Sequence, residues 1–332
     1  MQKLISALRS SPRLVQKTKL QALWHQLPRV CEVNRDHVIL GDDAAAIKNH
    51  EGYMLLAAEG VYPHLLKSNP YLAGRTSVIA NVNDIYAMGG RPMAVLDVLF
   101  ASDVEEAGEV VRGIRDNASR YMIPVVGGHF TEEKGFSSLA VFILGKAQSL
   151  LSSFNSQVGD DLVFVSNLKG KFYSGFNFWD SSSSLSSEQA LKHLELLPRI
   201  AEEGLADSAK DVSMAGIIGS TLMLLECSRK GAEIYLDKIP APFEVPLEDW
   251  LLTFPSFGFV LSLRSQNTQK VGDRFRKLGL VCQSIGKVTP DQKVFFIDGG
   301  EKRNLFWDFS VEPLIGFANQ PLSHEDTMEE GE

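Results

Sequence analysis

Cysteine is scarce. Cys31, Cys227 and Cys282 stand alone among 332 residues, with no CxxC spacing. That excludes a disulfide framework or a cysteine-rich zinc site and fits reduced thiols, so a cytoplasmic protein is expected. Basic charge is in deficit, with 33 Lys and Arg against 41 Asp and Glu. Nucleic acid and anionic membranes call for the opposite balance, so neither is expected as a partner. No run approaches the roughly 20 apolar residues of a membrane span. Met1 to Leu27 carry Lys3, Arg9, Arg13, Lys17 and Lys19 without the continuous apolar stretch of a secretory signal. Ser10-Ser11-Pro12 reads instead as a helix cap with Pro at the first helical position.

Familiar active-site signatures are missing too. Gly145-Lys146, Gly170-Lys171 and Gly286-Lys287 lack the upstream glycine and the following Ser or Thr of a P-loop. No GxGxxG opens a helix after a strand, and neither a GxSxG elbow nor an HExxH zinc motif occurs. A nucleotide site in this chain must therefore be of another type.

What is present is an ordinary globular composition with ample apolar material for a core. Strand-like runs at Val38–Leu40, Tyr53–Ala58, Met93–Phe100, Val125–Val126 and Ser138–Leu144 alternate with helical spacing over Gly74–Met88 and Val104–Tyr121. Further strands are expected at Leu162–Ser166, Phe257–Leu263, Val281–Ile285 and Val294–Ile297, and a long small-residue helix over Ala206–Arg229. Ser181–Ser187 reads as a surface loop. The pattern predicts an α/β (α+β) protein of two domains. A helical extension is expected over residues 1–30, an N-terminal domain over 31–150, a C-terminal domain over 151–318 and an acidic, disordered tail over 319–332.

Four constellations carry candidate chemistry. Gly41-Asp42-Asp43-Ala44-Ala45 follows an apolar strand, and adjacent carboxylates there suit a hard divalent cation, although a solvated Asx turn has the same composition. Asn81 and Asp84, three apart on a helix that reads as buried, share one face. An unpaired buried aspartate is costly, so Asp84 is either a cation ligand or a paired core group. Gly127-Gly128-His129-Phe130-Thr131 offers amide hydrogens to an anion, or forms a plain turn. Asp211, in Asp211-Val212-Ser213-Met214-Ala215-Gly216, is a ligand or a helix cap.

In order, GDDAAAI, AAEGVYP, NVNDIYAMGGRP, VVGGHFTE and DVSMAGIIGS resemble the aminoimidazole ribonucleotide (AIR) synthetase superfamily, and its AIR synthase-related branch most closely. The resemblance implies an N-terminal domain that pairs with its copy in a homodimer and a C-terminal α/β domain beside it. It implies ATP and Mg2+ in the cleft, with Asp42, Asp43 and Asp84 on the metal and Asn81, Gly127, Gly128 and Thr131 on the nucleotide. His129 and Asp211 become candidates for acid–base or substrate contacts. The implied activity is ATP-dependent phosphoryl transfer to a small molecule. Departures are visible: the Asp-x-Ser-Asp-Gly motif of thiamine monophosphate kinase has Met214 at its second acid, and the aspartate upstream of its EGV motif is absent here. These losses leave open a non-catalytic nucleotide-binding protein with a regulatory or assembly role.

Overall fold

Alternating burial along the strands dictates how the layers of this protein stack. The computed structural model describes residues 1–24, 41–173, 175–299 and 302–316. Three short helices come first: α1 (Gln2–Ser10), α2 (Pro12–Thr18) and α3 (Leu20–Trp24). Then follow β1 (Ala45–Asn49), β2 (Gly52–Gly60), α4 (Pro63–Ser68), α5 (Pro70–Ala87), β3 (Arg91–Ala101), α6 (Val104–Arg120), β4 (Val125–Glu132) and β5 (Ser138–Ala147). The second half comprises β6 (Asp161–Ser166), β7 (Lys171–Phe172), β8 (Phe178–Asp180), α7 (Ser187–Leu194), α8 (Leu196–Glu202), β9 (Ser208–Asp211), α9 (Gly216–Cys227) and β10 (Gly231–Tyr235). It closes with α10 (Leu247–Leu251), β11 (Phe254–Pro255), β12 (Gly258–Leu263), α11 (Ser265–Lys277), β13 (Val281–Thr289), β14 (Lys293–Asp298) and β15 (Lys302–Asp308). The expected strand at Val38–Leu40, Cys31 and the acidic tail lie outside the described residues. No helix among those described is long and apolar enough to cross a membrane.

The first sheet has the order β1-β2-β5-β3-β4, antiparallel except for β3 against β4. Side chains alternate across a strand, so Leu139, Val141 and Ile143 of β5 face the helices and are buried. Their neighbours on the other face, with Leu56 of β2 and Leu96 of β3, look outward, and Leu56 and Leu96 are 49% and 41% exposed. This open apolar face is the largest departure from the reading of Met93–Phe100 as a buried strand.

Helix α5 is enclosed on nearly every side, which suits its small and polar residues without one apolar stripe. Two glycines let α6 approach it. A Cβ on Gly74 would lie 2.1 Å from the Val110 carbonyl oxygen, and one on Gly113 the same distance from that of Tyr71. Asn81 fastens α5 to β5, its Nδ2 donating to Val141 O at 3.0 Å and to Ser77 O at 2.9 Å.

The second sheet, β15-β14-β10-β13-β6-β12-β9, is covered on both faces, and so β6 and β12 read as continuous apolar runs. Odd-numbered Val163, Val165, Phe259 and Leu261 join the core containing α5, α8 and α11, while Leu162, Phe164 and Val260 face α9. The stretch expected as one long helix is thus split. Ser208–Asp211 pair with β12 as an edge strand, and α9 begins only at Gly216.

Helices α1 and α2 pack on this second half. Ile5, Leu8 and Leu14 join the core of Ile217, Leu222, Phe306 and Leu314. Arg9 donates to Phe306 O at 2.7 Å, pairs with Glu312 at 2.5 Å and stacks over Trp307. Pro12 does open α2 as expected, although the Ser11 side chain makes no capping hydrogen bond. Glu226 of α9, fully buried, accepts the amides of Leu314, Ile315 and Gly316 and so holds the end of the described chain against the core.

Candidate functional site

The turn over residues 41–44 enters β1 at the junction of the two halves, where a positive φ of 110° at Gly41 is well suited to glycine. It delivers two aspartates to different tasks. Asp42 is saturated with donors: Ser152 Oγ at 2.7 Å and the Ser153 amide at 3.0 Å on one oxygen, Ser153 Oγ at 2.7 Å and the Asp43 amide at 3.1 Å on the other. Burial raises its pKa, Asp43 adds to this, and Lys210 and the two serines oppose it. Asp42 thereby fastens the 152–153 segment, which in sequence reads only as a polar junction.

Asp43 points the other way. One oxygen is ion-paired to Lys210 Nζ, and the other accepts the Asp211 amide at 3.0 Å. Its carboxylate meets those of Asp84, from α5, and Asp211, at the end of β9. Ligand oxygens of the three lie within 4.8 Å of one another. Among the described residues, neither the Asp84 nor the Asp211 side chain accepts a hydrogen bond, although both are buried. Burial pushes both well above the usual carboxylate range. Glu59, Asp211 and Asp43 raise Asp84 further, and Asp43 does so for Asp211, with Lys210 opposing.

Such a set has a plain chemical reading. Three oxygen ligands with few donors and a surplus of negative charge fit a small, hard divalent ion, which removes the repulsion and lets all three ionise. Glu59, half-buried at the end of β2, is held high by burial, with Asp43 adding to it and Lys17 and Lys210 opposing. Lys17 also favours the ionised form of Asp211, so a cation of α2 lies near the same acids.

The other predicted residues are placed differently. Asn81 uses its amide on β5 and Ser77, and its buried Oδ1 has no donor. Gly127, Gly128, His129 and Thr131 lie within β4, at the sheet edge, rather than in a loop after it. His129 Nε2 and Thr131 Oγ1 are 3.1 Å apart on the open face, beside Phe100. At Gly128 a Cβ would come within 2.7 Å of Asp97 Oδ1, so close packing on β3 explains the glycine locally. The structure therefore gathers Asp43, Asp84 and Asp211, sets Asp42 beside them as an anchor, and leaves the β4 residues on the open sheet. Sequence reading missed Glu59, Lys210, Ser152 and Ser153. The one available signal for Lys210 was its position next to Asp211.

Comparison with known proteins bears on this arrangement. The family model for AIR synthase related protein, N-terminal domain, matches residues 41–147, and that for the C-terminal domain matches 157–299. An uncharacterised protein of Synechocystis is 42% identical over 316 residues, spanning 95% of this chain and 98% of its own length. Among solved structures, T. maritima PurL complexed with ATP has a similar fold, with a TM-score of 0.67 at 20% identity over 88% of this chain and 49% of that one. AaThiL complexed with AMPPCP and TMP has a TM-score of 0.60 at 21% identity over 80% of this chain and 89% of its own. The chain spans about half the length of the PurL proteins it matches.

Proposed function

Because this chain belongs to the AIR synthase related family, we propose that it is an enzyme that uses ATP and Mg2+ to transfer a phosphoryl group to a small molecule. The observation that carries this reading is the convergence of Asp43, Asp84 and Asp211, two of them without hydrogen-bond donors, in a buried position between the halves. Asp43, Asp84 and Asp211 would hold the ion, which when bound supplies charge neutralisation for the phosphates. Asp42 keeps Asp43 in place through the adjoining turn and the 152–153 segment. Lys210 neutralises part of the acid charge by pairing with Asp43, and Lys17 adds positive charge close to Asp211 and Glu59. The nucleotides in the PurL and AaThiL structures support ATP as the donor, since those proteins share this fold.

The open face of the first sheet completes the reading. Its apolar residues, including Leu56 and Leu96, form a surface suited to a second copy of the chain. Gly127, His129 and Thr131 lie on that face, so a homodimer would cover them, and their proposed role in nucleotide contact belongs to the dimer. Met214, 43% exposed beside Asp211 where a second acid is expected, favours a second reading as a nucleotide-binding regulatory protein.

The test is ADP and phosphate release with ATP and Mg2+ across a panel of small metabolites, with nucleotide binding measured in parallel. Turnover that requires Mg2+ and responds to one acceptor class is the expected result. Binding without turnover on any acceptor selects the regulatory reading. Absence of both refutes the proposal.

A further inference from the structure

We propose that Lys210 is a built-in cation standing in for one metal ion, so that the acid site of the nucleotide-free protein takes a single divalent ion. The inference rests on the metal reading above and goes beyond it by fixing the number of ions. Lys210 lies on β9 next to Asp211, and consecutive strand residues point to opposite faces. Its side chain therefore leaves the strand on the face opposite Asp211, toward the layer between the second sheet and α9 that holds the buried Cys227.

There Lys210 is almost completely enclosed, its side chain 5% exposed like that of its partner Asp43. A lone ammonium in such a place is strongly disfavoured, and the contact with Asp43, reinforced by the charge of Asp42, offsets this. Lys210 Nζ meets Asp43 Oδ1 there, and that oxygen is thereby already neutralised by a cation of the chain itself.

Charge balance points the same way. Asp42, Asp43, Glu59, Asp84 and Asp211 bring five carboxylates to one region, against the ammonium groups of Lys210 and Lys17. With all five ionised around the bound metal and the two lysines in place, one divalent ion leaves the site slightly negative. A second divalent ion would reverse the sign of a buried region. Take away Lys210 and room for that second ion appears beside Asp43, with the charge to hold it.

Titrating nucleotide-free protein with Mn2+ and following the free-ion paramagnetic resonance signal counts the sites directly. Wild-type protein is expected to bind one Mn2+ per chain, Lys210→Ala two, and Lys210→Arg one. Two ions in wild-type protein, or one in Lys210→Ala, overturns the role of Lys210 while leaving the metal reading intact. Wild-type protein that takes up no Mn2+ overturns the metal reading itself and this inference with it. If Lys210→Ala is unfolded without metal, excess Mn2+ must restore its thermal transition, and failure to do so counts against the inference.

Discussion

Replacing Asp84 with Asn keeps the shape of the side chain and removes its charge, which separates two opposing effects. The ligand oxygens of Asp43, Asp84 and Asp211 lie within 4.8 Å of each other, and at an effective dielectric near 20 a pair of like charges at that distance repels by about 3.5 kcal/mol. Ionising all three without a cation would therefore cost roughly 10 kcal/mol, comparable with the whole stability of a domain. The metal-free protein avoids this by keeping protons on Asp84 and Asp211, whose pKa values burial holds well above the ordinary range. The folded state then binds protons more tightly than the unfolded chain. Metal-free stability accordingly falls as pH rises from the unfolded value near 4 through the raised folded values, and the loss is complete above them.

Asp84→Asn removes two of the three repelling pairs. The metal-free variant should be at least as stable as wild type, with a shallower loss of stability as pH rises. A divalent ion present at a hundredfold excess over its Kd stabilises a protein by about 2.7 kcal/mol, which corresponds to a rise of about 4 °C for 332 residues melting as one unit. That rise should appear in wild type and vanish in Asp84→Asn. Scanning calorimetry of both proteins at a mildly acidic and a mildly alkaline pH, with and without Mg2+, measures these effects. An Asp84→Asn protein that keeps the full Mg2+-dependent rise, or that melts well below metal-free wild type, would refute the reasoning.

Two further outcomes are expected. Leu96→Asp places a charge on the open face of the first sheet; on the proposed pairing, sedimentation velocity should find a dimer for wild type and a monomer for the variant, with an unchanged far-ultraviolet spectrum. Gly74→Ala puts a methyl 2.1 Å from the Val110 carbonyl oxygen and should lower stability by about 1–3 kcal/mol through overpacking of α5 against α6, read as a lower urea midpoint at unchanged slope.

Local pattern alone makes much of the fold legible. The apolar run of β2, the helical spacing of α6 and the break at Ser11-Pro12 each follow from rules acting over a few residues. The 206–229 stretch does not yield to them. Its small and apolar residues satisfy a helix, but Ser208–Asp211 find a free edge on β12, and that pairing depends on residues some fifty positions away. The site divides in the same manner. Asp43 and Asp84 stand out in the sequence because adjacent or enclosed carboxylates need explaining wherever they occur. That Asp211 joins them, while Asp42 turns to Ser152 and Ser153, depends on how the two halves meet. Lys210 is an ordinary lysine in sequence, and only its burial against Asp43 gives it meaning.

The docking of the first helices on the last strand has a consequence for synthesis. Arg9 finds Glu312 303 residues later, and Ile5, Leu8 and Leu14 share a core with Phe306 and Leu314. On the ribosome, at about 5–20 residues per second, those apolar side chains wait roughly 15–60 s for partners that do not yet exist. Until then the helical segment has only its α9 partners, among them Ile217 and Leu222, and part of its apolar face stays uncovered. The native junction forms only once β15 and the residues just after it have been made, as a late step of folding.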